Sequence, residues 1–485
     1  MGQQRGVRGE LSCACMLFLM TALAGCGGKA HADMPVSTPA LPPFTTADSS
    51  PFFGSGSRLK AHVWDGGSGA RALLDFYDVQ LDVNCTFLEN ASGEYHCLPK
   101  PLANSYFDAN CTQPAFIGTG SAETPPRAGV LVVSYAPSCD KMVVPYSLVE
   151  EQPVTQLYTW IDGKCYPETV FPDSAWTVQP EPLTRFSGAA LSTVGDEGEA
   201  QALRATADDG AYLNLYITAH GQRCVGLQFA QEQRCLRTPF GRMANGTYAD
   251  DTCTGPELAY STLTESDICS GRKPTRAVVT QTDACAQQQS LRALLDPVPS
   301  AFSADGGEHC APYDASVFGE ALYRVGESVS SSEAPVLSAV IAGSGALRLS
   351  ATANRLGTPL TEPYADWRLA DGERCARVPD TSGMLRCAAG LGLALEVYAD
   401  ANCAQQLVAI SDCDDAPGYL LEEAQAGTAV LRLSAAYAAE PYTGPVYAKL
   451  ADRCQPVEKS MGRYFQRGAA VDLDTFPVIS ETTDP

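Results

Sequence analysis

One arrangement of cysteines occurs three times along the chain. Cys85 and Cys97 are followed by Cys111, Cys224 and Cys235 by Cys253, and Cys375 and Cys387 by Cys403. The third cysteine of each set closes a shared phrase: Tyr106-Phe107-Asp108-Ala109-Asn110-Cys111, Tyr248-Ala249-Asp250-Asp251-Thr252-Cys253 and Tyr398-Ala399-Asp400-Ala401-Asn402-Cys403. A chain that places one staple and one phrase three times in one order folds as three copies of a related unit. A period of about 140 residues is a whole small domain or two supersecondary units, not a short solenoid repeat.

Other phrases keep the same register. Gly54-Ser55-Gly56 with Leu59 opens the first unit, and Gly343-Ser344-Gly345 with Leu349 opens the third. Leu203-Arg204-Ala205-Thr206-Ala207-Asp208 matches Leu349-Ser350-Ala351-Thr352-Ala353-Asn354. The second unit closes with Tyr323 to Gly326, Val329 and Pro335 to Ser338; the third closes with Phe465 to Gly468, Val471 and Pro477 to Ser480 at the same spacing. The first unit closes less distinctly, between Trp176 and Leu191. The resulting organisation is a leader at 1–25, a tether at 26–52, and β units at 53–190, 191–340 and 341–485.

Strand signals dominate these units. Leu391, Leu393, Leu395 and Val397 alternate with small or polar residues, as do Leu213, Leu215 and Ile217 around Asn214, and Leu431 and Leu433 around Arg432. Val130 to Val133 is a short buried-strand run. All are bounded by Gly, Pro, Asn or Asp. Asn90-Ala91-Ser92-Gly93 between Cys85 and Cys97 reads as the turn of a stapled hairpin. Helix is expected only around Leu291–Leu295 and Tyr419–Ala426. The fold class is all-β, built either as a propeller-like closed ring or as three consecutive small β-domains.

Sixteen of the nineteen cysteines lie beyond Cys26, an even number without any C-x-x-C pair. That favours a disulfide framework over zinc. The expected bridges are Cys85–Cys97, Cys224–Cys235 and Cys375–Cys387 as hairpin staples. Cys111–Cys139, Cys253–Cys269, Cys285–Cys310 and Cys403–Cys413 join sequence neighbours, and Cys165–Cys454 closes a ring between the first and last units.

Arg5 and Arg8 precede an apolar run from Leu11 to Ala24 that ends in Leu23-Ala24-Gly25-Cys26. This layout is an export signal, too short for a stable span. The ending resembles the lipobox of bacterial lipoproteins. The resemblance implies cleavage before Cys26 and lipid attachment to it. Gly27 after the cysteine implies sorting to the outer membrane. An ordinary secretory signal cut between Ala30 and Asp33 is the alternative. The tether is rich in Pro, Ser, Thr and Ala, with Pro42-Pro43 and Pro51, and lifts the body from the membrane. The full chain carries a net charge of −23, and loss of the leader makes it one unit more negative. Such a body repels nucleic acid and anionic membranes alike, so the lipid is the expected anchor.

Familiar catalytic motifs are absent: no G-x-S-x-G elbow, H-E-x-x-H, P-loop or dinucleotide fingerprint. Only five histidines occur. Asp108, Asp250 and Asp400 are the repeated ligand candidates, as calcium or polar-ligand contacts. Their competing role is to cap a turn before the cysteine. No D-x-D-x-D-G loop accompanies them, so no cofactor is expected and calcium is not favoured. Trp64, Trp160, Trp176 and Trp367 are candidate sugar platforms whose bland role is core packing. The expected function is a lipid-anchored envelope protein that binds or scaffolds a protein or glycan without catalysis. A polysaccharide-active hydrolase or lyase and a calcium-dependent adhesin are the alternatives.

Overall fold

The computed structural model describes residues 52–485 apart from 91, 100–101, 104, 118–127, 136–139, 162–163, 169–173, 230–231, 262–271, 284–285, 299, 306–308, 314–320, 393–396, 413–415, 427–429, 451–452 and 459–461. The leader, the tether up to residue 51, and Cys26 lie outside the described residues. The fold is all-β. Among the described residues the helical turns are two short 3-10 segments, Leu183–Arg185 and Leu473–Thr475. The stretches expected to be helical are strands. Leu291–Leu295 lies within Ala286–Pro297, and Tyr419–Ala426 is itself a strand. Each is one arm of a long hairpin whose register engages its backbone, and pairing overrides local helix preference.

Fifteen strands share one path of backbone pairing. In chain order they are β1 (Leu59–Asp65), β2 (Arg71–Asp78), β3 (Val83–Glu89), β4 (Tyr95–Pro99), β5 (Gly188–Val194), β6 (Gln201–Ala207), β7 (Tyr212–Ala219), β8 (Gln222–Phe229), β9 (Glu232–Arg237), β10 (Val336–Ala342), β11 (Leu347–Asn354), β12 (Pro359–Leu369), β13 (Ala376–Pro379), β14 (Leu385–Ala388) and β15 (Val478–Thr483). Consecutive strands pair, and the joins between groups are short: His96 with Gly188, Arg234 with Val336, Arg386 with Val478. The last strand then pairs with the first, His62 against Thr483 and Asp65 against Ser480. Between β12 and β13 the Leu369 N–H donates to the Glu373 carbonyl and the Cys375 N–H to the Trp367 carbonyl. The path therefore returns on itself, as three groups of five strands.

The joins repeat a single contact. The amide of the second staple cysteine donates to the carbonyl just before the next strand: Cys97 to Ser187, Cys235 to Pro335 and Cys387 to Pro477, each at 2.9 Å. The main core cluster draws Leu59, Val63 and Phe76 from the first group, Ala205 and Ala207 from the second, and Val340, Ala351 and Ala353 from the third, with Phe52 and Phe53 packed against them. Ala61, Ala205 and Ala351 occupy matching places in the three repeats. Small side chains there allow the three strand groups to converge closely.

A smaller β module is inserted between β4 and β5, between β9 and β10, and between β14 and β15. Each contains a long hairpin, then a short one, then a returning strand. The short hairpins are Tyr158–Ile161 with Lys164–Pro167, Ala301–Asp305 with His309–Tyr313, and Val446–Leu450 with Arg453–Val457.

Bridges join Cys85–Cys97, Cys224–Cys235 and Cys375–Cys387. In all three hairpins the second cysteine lies opposite the residue two beyond the first, so the staple runs diagonally. The remaining described bridges correct the sequence expectation. Cys111 bonds Cys165, not Cys139; Cys253 bonds Cys310, so neither Cys253–Cys269 nor Cys285–Cys310 forms; Cys403 bonds Cys454, so neither Cys403–Cys413 nor Cys165–Cys454 forms. Cys139, Cys269, Cys285 and Cys413 lie outside the described residues. The physical reason is strand register. In the first module the Cys165 strand pairs with Tyr158–Ile161, which pairs with Ser105–Tyr106 beside the Cys111 loop. The cysteines thus meet with Cα atoms 5.8 Å apart, within the range a disulfide requires.

Candidate functional site

Asp108, Asp250 and Asp400 lie in three separate modules and perform one local task. Asp108 accepts from the amides of Asn110, Thr112 and Gln113 at 2.9, 2.9 and 2.6 Å. Asp250 accepts from Thr252, Thr254 and Gly255 at 3.2, 3.3 and 3.0 Å. Asp400 accepts from Asn402, Ala404 and Gln405 at 2.8, 3.0 and 2.6 Å. The cysteine that follows each turns back with φ of 53°, 52° and 52° at Cys111, Cys253 and Cys403. The phrase repeats because an acceptor carboxylate is needed to order this left-handed turn at a bridged cysteine.

These hydrogen bonds also set the charge. Burial pushes the Asp108 carboxyl up, but the amides of Gln113, Asn110 and Thr112 outweigh it and hold it below the usual carboxylate range. The Thr252 hydroxyl leads in holding Asp250 low, and the Gln405 amide leads for Asp400. Among the described residues no group of three or more His, Cys, Asp or Glu side chains is placed to hold a metal ion.

The tryptophans divide by position. Trp367 is buried among Leu347, Leu349 and Ala342, and Trp160 packs beside Tyr106 and Tyr158 within the first module. Trp176 is half-buried, opposite Phe116 and Glu151 in its strand pairings. Trp64, at the end of β1, instead lines a cavity of about 890 Å³ where the three strand groups meet. The walls include Phe53 and Leu73 from the first unit, Tyr216 and Arg223 from the second, and Thr352 and Arg377 from the third.

Two cation–aromatic pairs define its chemistry. The Arg377 guanidinium lies 3.3 Å from the centre of the Trp64 ring, and that of Arg223 lies 5.0 Å from the centre of Tyr216. Arg204 stacks 4.2 Å over Tyr212 and donates to Asn214 Oδ1 at 2.8 Å. The buried Asn214 in turn donates to the Leu360 carbonyl at 2.7 Å. This chain of contacts fixes β7 to β6 and β12 behind the cavity. Stacked guanidinium groups beside flat apolar rings suit a ligand with apolar faces and polar or anionic edges. Gly226 contributes by having no side chain: a Cβ there would come within 2.9 Å of the Gln233 amide nitrogen.

None of the cavity's arginines is identified by the repeated phrases. The signal that points to them is subtler. Arg223, Arg374, Arg377, Arg234, Arg237 and Arg386 all lie within two residues of a staple cysteine, in a chain with 33 basic residues in all. Some of these are structural. Arg386 is buried and donates to Asp380 at 2.7 Å and to the Leu473 carbonyl at 2.7 Å. Arg234 donates to the Ala334 carbonyl at 2.8 Å in the corresponding join.

One histidine, His62, ties the ends of the path together. His62 holds Asp75 through Nδ1 at 2.9 Å and Glu481 through Nε2 at 2.8 Å, across the seam between β1, β2 and β15. Asp484 continues the seam, accepting from Ser55 Oγ at 2.7 Å and pairing with Arg71.

The chain belongs to a family of unknown function, DUF7481, whose model matches residues 45–476. No curated protein and no solved structure matches it.

Proposed function

We propose that this member of the DUF7481 family is a lipid-anchored cell-envelope protein that binds a glycan without transforming it, in the cavity between Trp64, Tyr216, Arg223 and Arg377. The observation that carries this reading is the pairing of aromatic rings with guanidinium groups on the walls of an 890 Å³ space. A sugar ring presents an apolar face to an aromatic ring and hydroxyl or carboxylate groups at its edge, which arginine recognises. The volume is within the usual range for small-ligand sites. The lipobox-like Leu23-Ala24-Gly25-Cys26 supports anchorage through Cys26 at the outer membrane, with residues 26–52 as the tether.

Titration calorimetry with neutral and acidic oligosaccharides tests the binding. Trp64→Ala and Arg377→Ala are each expected to weaken it by roughly tenfold. Unchanged affinity in both variants would reject the cavity as the site. Mass analysis of the N-terminal peptide, with Cys26→Ser as control, tests the anchor: the wild type is expected to carry lipid and to sediment with membranes, and the variant is not.

A further inference from the structure

We infer a second binding site, for the carboxylate or phosphate groups of an acidic polysaccharide, in a cationic cleft of the second unit. The cleft, of about 260 Å³, opens between the end of β9 and the segment leading into the strand Arg276–Asp283. Arg237, Arg272, Lys273 and Arg276 line it, with Thr238 and Gln222 as neutral donors. Among the described residues its one lining carboxylate, Glu333, pairs with Arg276 at 2.9 Å. The lining thus carries three more positive than negative side chains, on a chain whose net charge is −23. A concave patch of one sign focuses field and raises the local concentration of the opposite charge.

The asymmetry between units supports a ligand over a structural role. Everything the fold requires occurs three times: the diagonal staple, the cysteine-to-carbonyl join and the aspartate turn. The cations do not. Arg237 stands two residues after Cys235, where the first and third units have Pro99 and Ala389 after Cys97 and Cys387. By strand register the stretch Arg272-Lys273-Pro274-Thr275-Arg276 corresponds in the third unit to Asp415-Ala416-Pro417-Gly418-Tyr419, which keeps none of the three cations. Glu333 also shows what the cleft accepts. It is a carboxylate seated on one of these arginines, yet its own side chain is 71 % exposed. An exposed pair of this kind is weak, so an incoming anion can displace it.

The cleft is tested on the mature full-length protein by titration calorimetry at low ionic strength, with oligogalacturonate, inorganic phosphate and a neutral oligosaccharide of equal length. In the Trp64→Ala background, which disables the Trp64 cavity, binding of oligogalacturonate but not of the neutral chain is expected, and phosphate competition would identify phosphate groups as the preferred anion. The double variant Arg237→Ser/Lys273→Ser is expected to bind oligogalacturonate roughly tenfold or more weakly. Glu333→Gln is expected to bind it more tightly, an outcome that a purely structural role would not produce. Because these titrations are made with Trp64→Ala, failure here and failure of the Trp64 cavity are separable. The inference is overturned if neither anion binds, if the double variant retains full affinity while its thermal unfolding is unchanged, or if Glu333→Gln weakens binding.

Discussion

Individual carboxylates in this protein hold backbone turns, and that gives its stability a predictable pH dependence. Asp108, Asp250, Asp400 and Asp380 all titrate below their ordinary value. For Asp380 the Ser382 hydroxyl leads, followed by the Arg386 guanidinium. A group whose folded pKa is depressed stabilises the fold above its unfolded value and loses that contribution as pH falls through the folded one. The expected outcome is a melting temperature steady near neutrality that declines from about pH 4 downwards, measured by circular dichroism. Asp380→Asn should flatten part of that decline while lowering stability at neutral pH, because Arg386 loses a buried charged partner. Arg386→Ala removes the donor to Asp380 and to two carbonyls of the last join, and should cost about 3 kcal/mol or more in chemical denaturation. The Asp-x-x-Cys phrase made these turns legible from sequence, since an Asx turn is a local event. Asp75 and Glu481 were not legible: they meet at His62 only because residues 62 and 481 are neighbours across a seam.

At the scale of elements, disulfides fasten two different structures. The staples hold single hairpins, and the module bridges tie the aspartate turn to the short hairpin 51 to 57 residues away. Closing a longer loop removes more entropy from the unfolded chain, so removing Cys111–Cys165 should cost roughly 3–5 kcal/mol, slightly more than removing Cys85–Cys97. Double Cys→Ser variants followed by denaturant titration measure the difference. A non-reducing peptide map should recover Cys111–Cys165, Cys253–Cys310 and Cys403–Cys454. Hairpin staples are readable from spacing because both ends lie in adjacent strands. The module bridges are not, because nearest-neighbour pairing in sequence loses to the register of the intervening hairpins. The same competition turned two helix-like segments into strands: Tyr419–Ala426 pairs along its whole length with Val430–Tyr442.

Across the whole molecule, the last strand decides whether the path of strands is closed. β15 lies between β1 and β14, and His62, Ser55 and Arg71 hold its Glu481 and Asp484. Deleting residues 477–485 would uncover two strand edges at once, and open edges template association. The expected result is a lower melting temperature and a shift from a single species to higher-mass species in size-exclusion chromatography with light scattering. A milder Glu481→Ala/Asp484→Ala variant should keep its size and unfold at lower temperature. An unchanged mass after truncation would mean that the seam contributes little to closure.

The chain's sequence by itself determined the all-β class, the three hairpin staples and the aspartate turns, because each depends on residues close enough to interact whichever way the rest folds. The tertiary structure alone decided the partners of Cys111, Cys253 and Cys403, the closure of the first strand on the last, and the meeting of Trp64 with Arg377. Those contacts span from about fifty to more than four hundred residues. Their formation depends on strand register and on the convergence of three strand groups over small side chains, which no local pattern encodes.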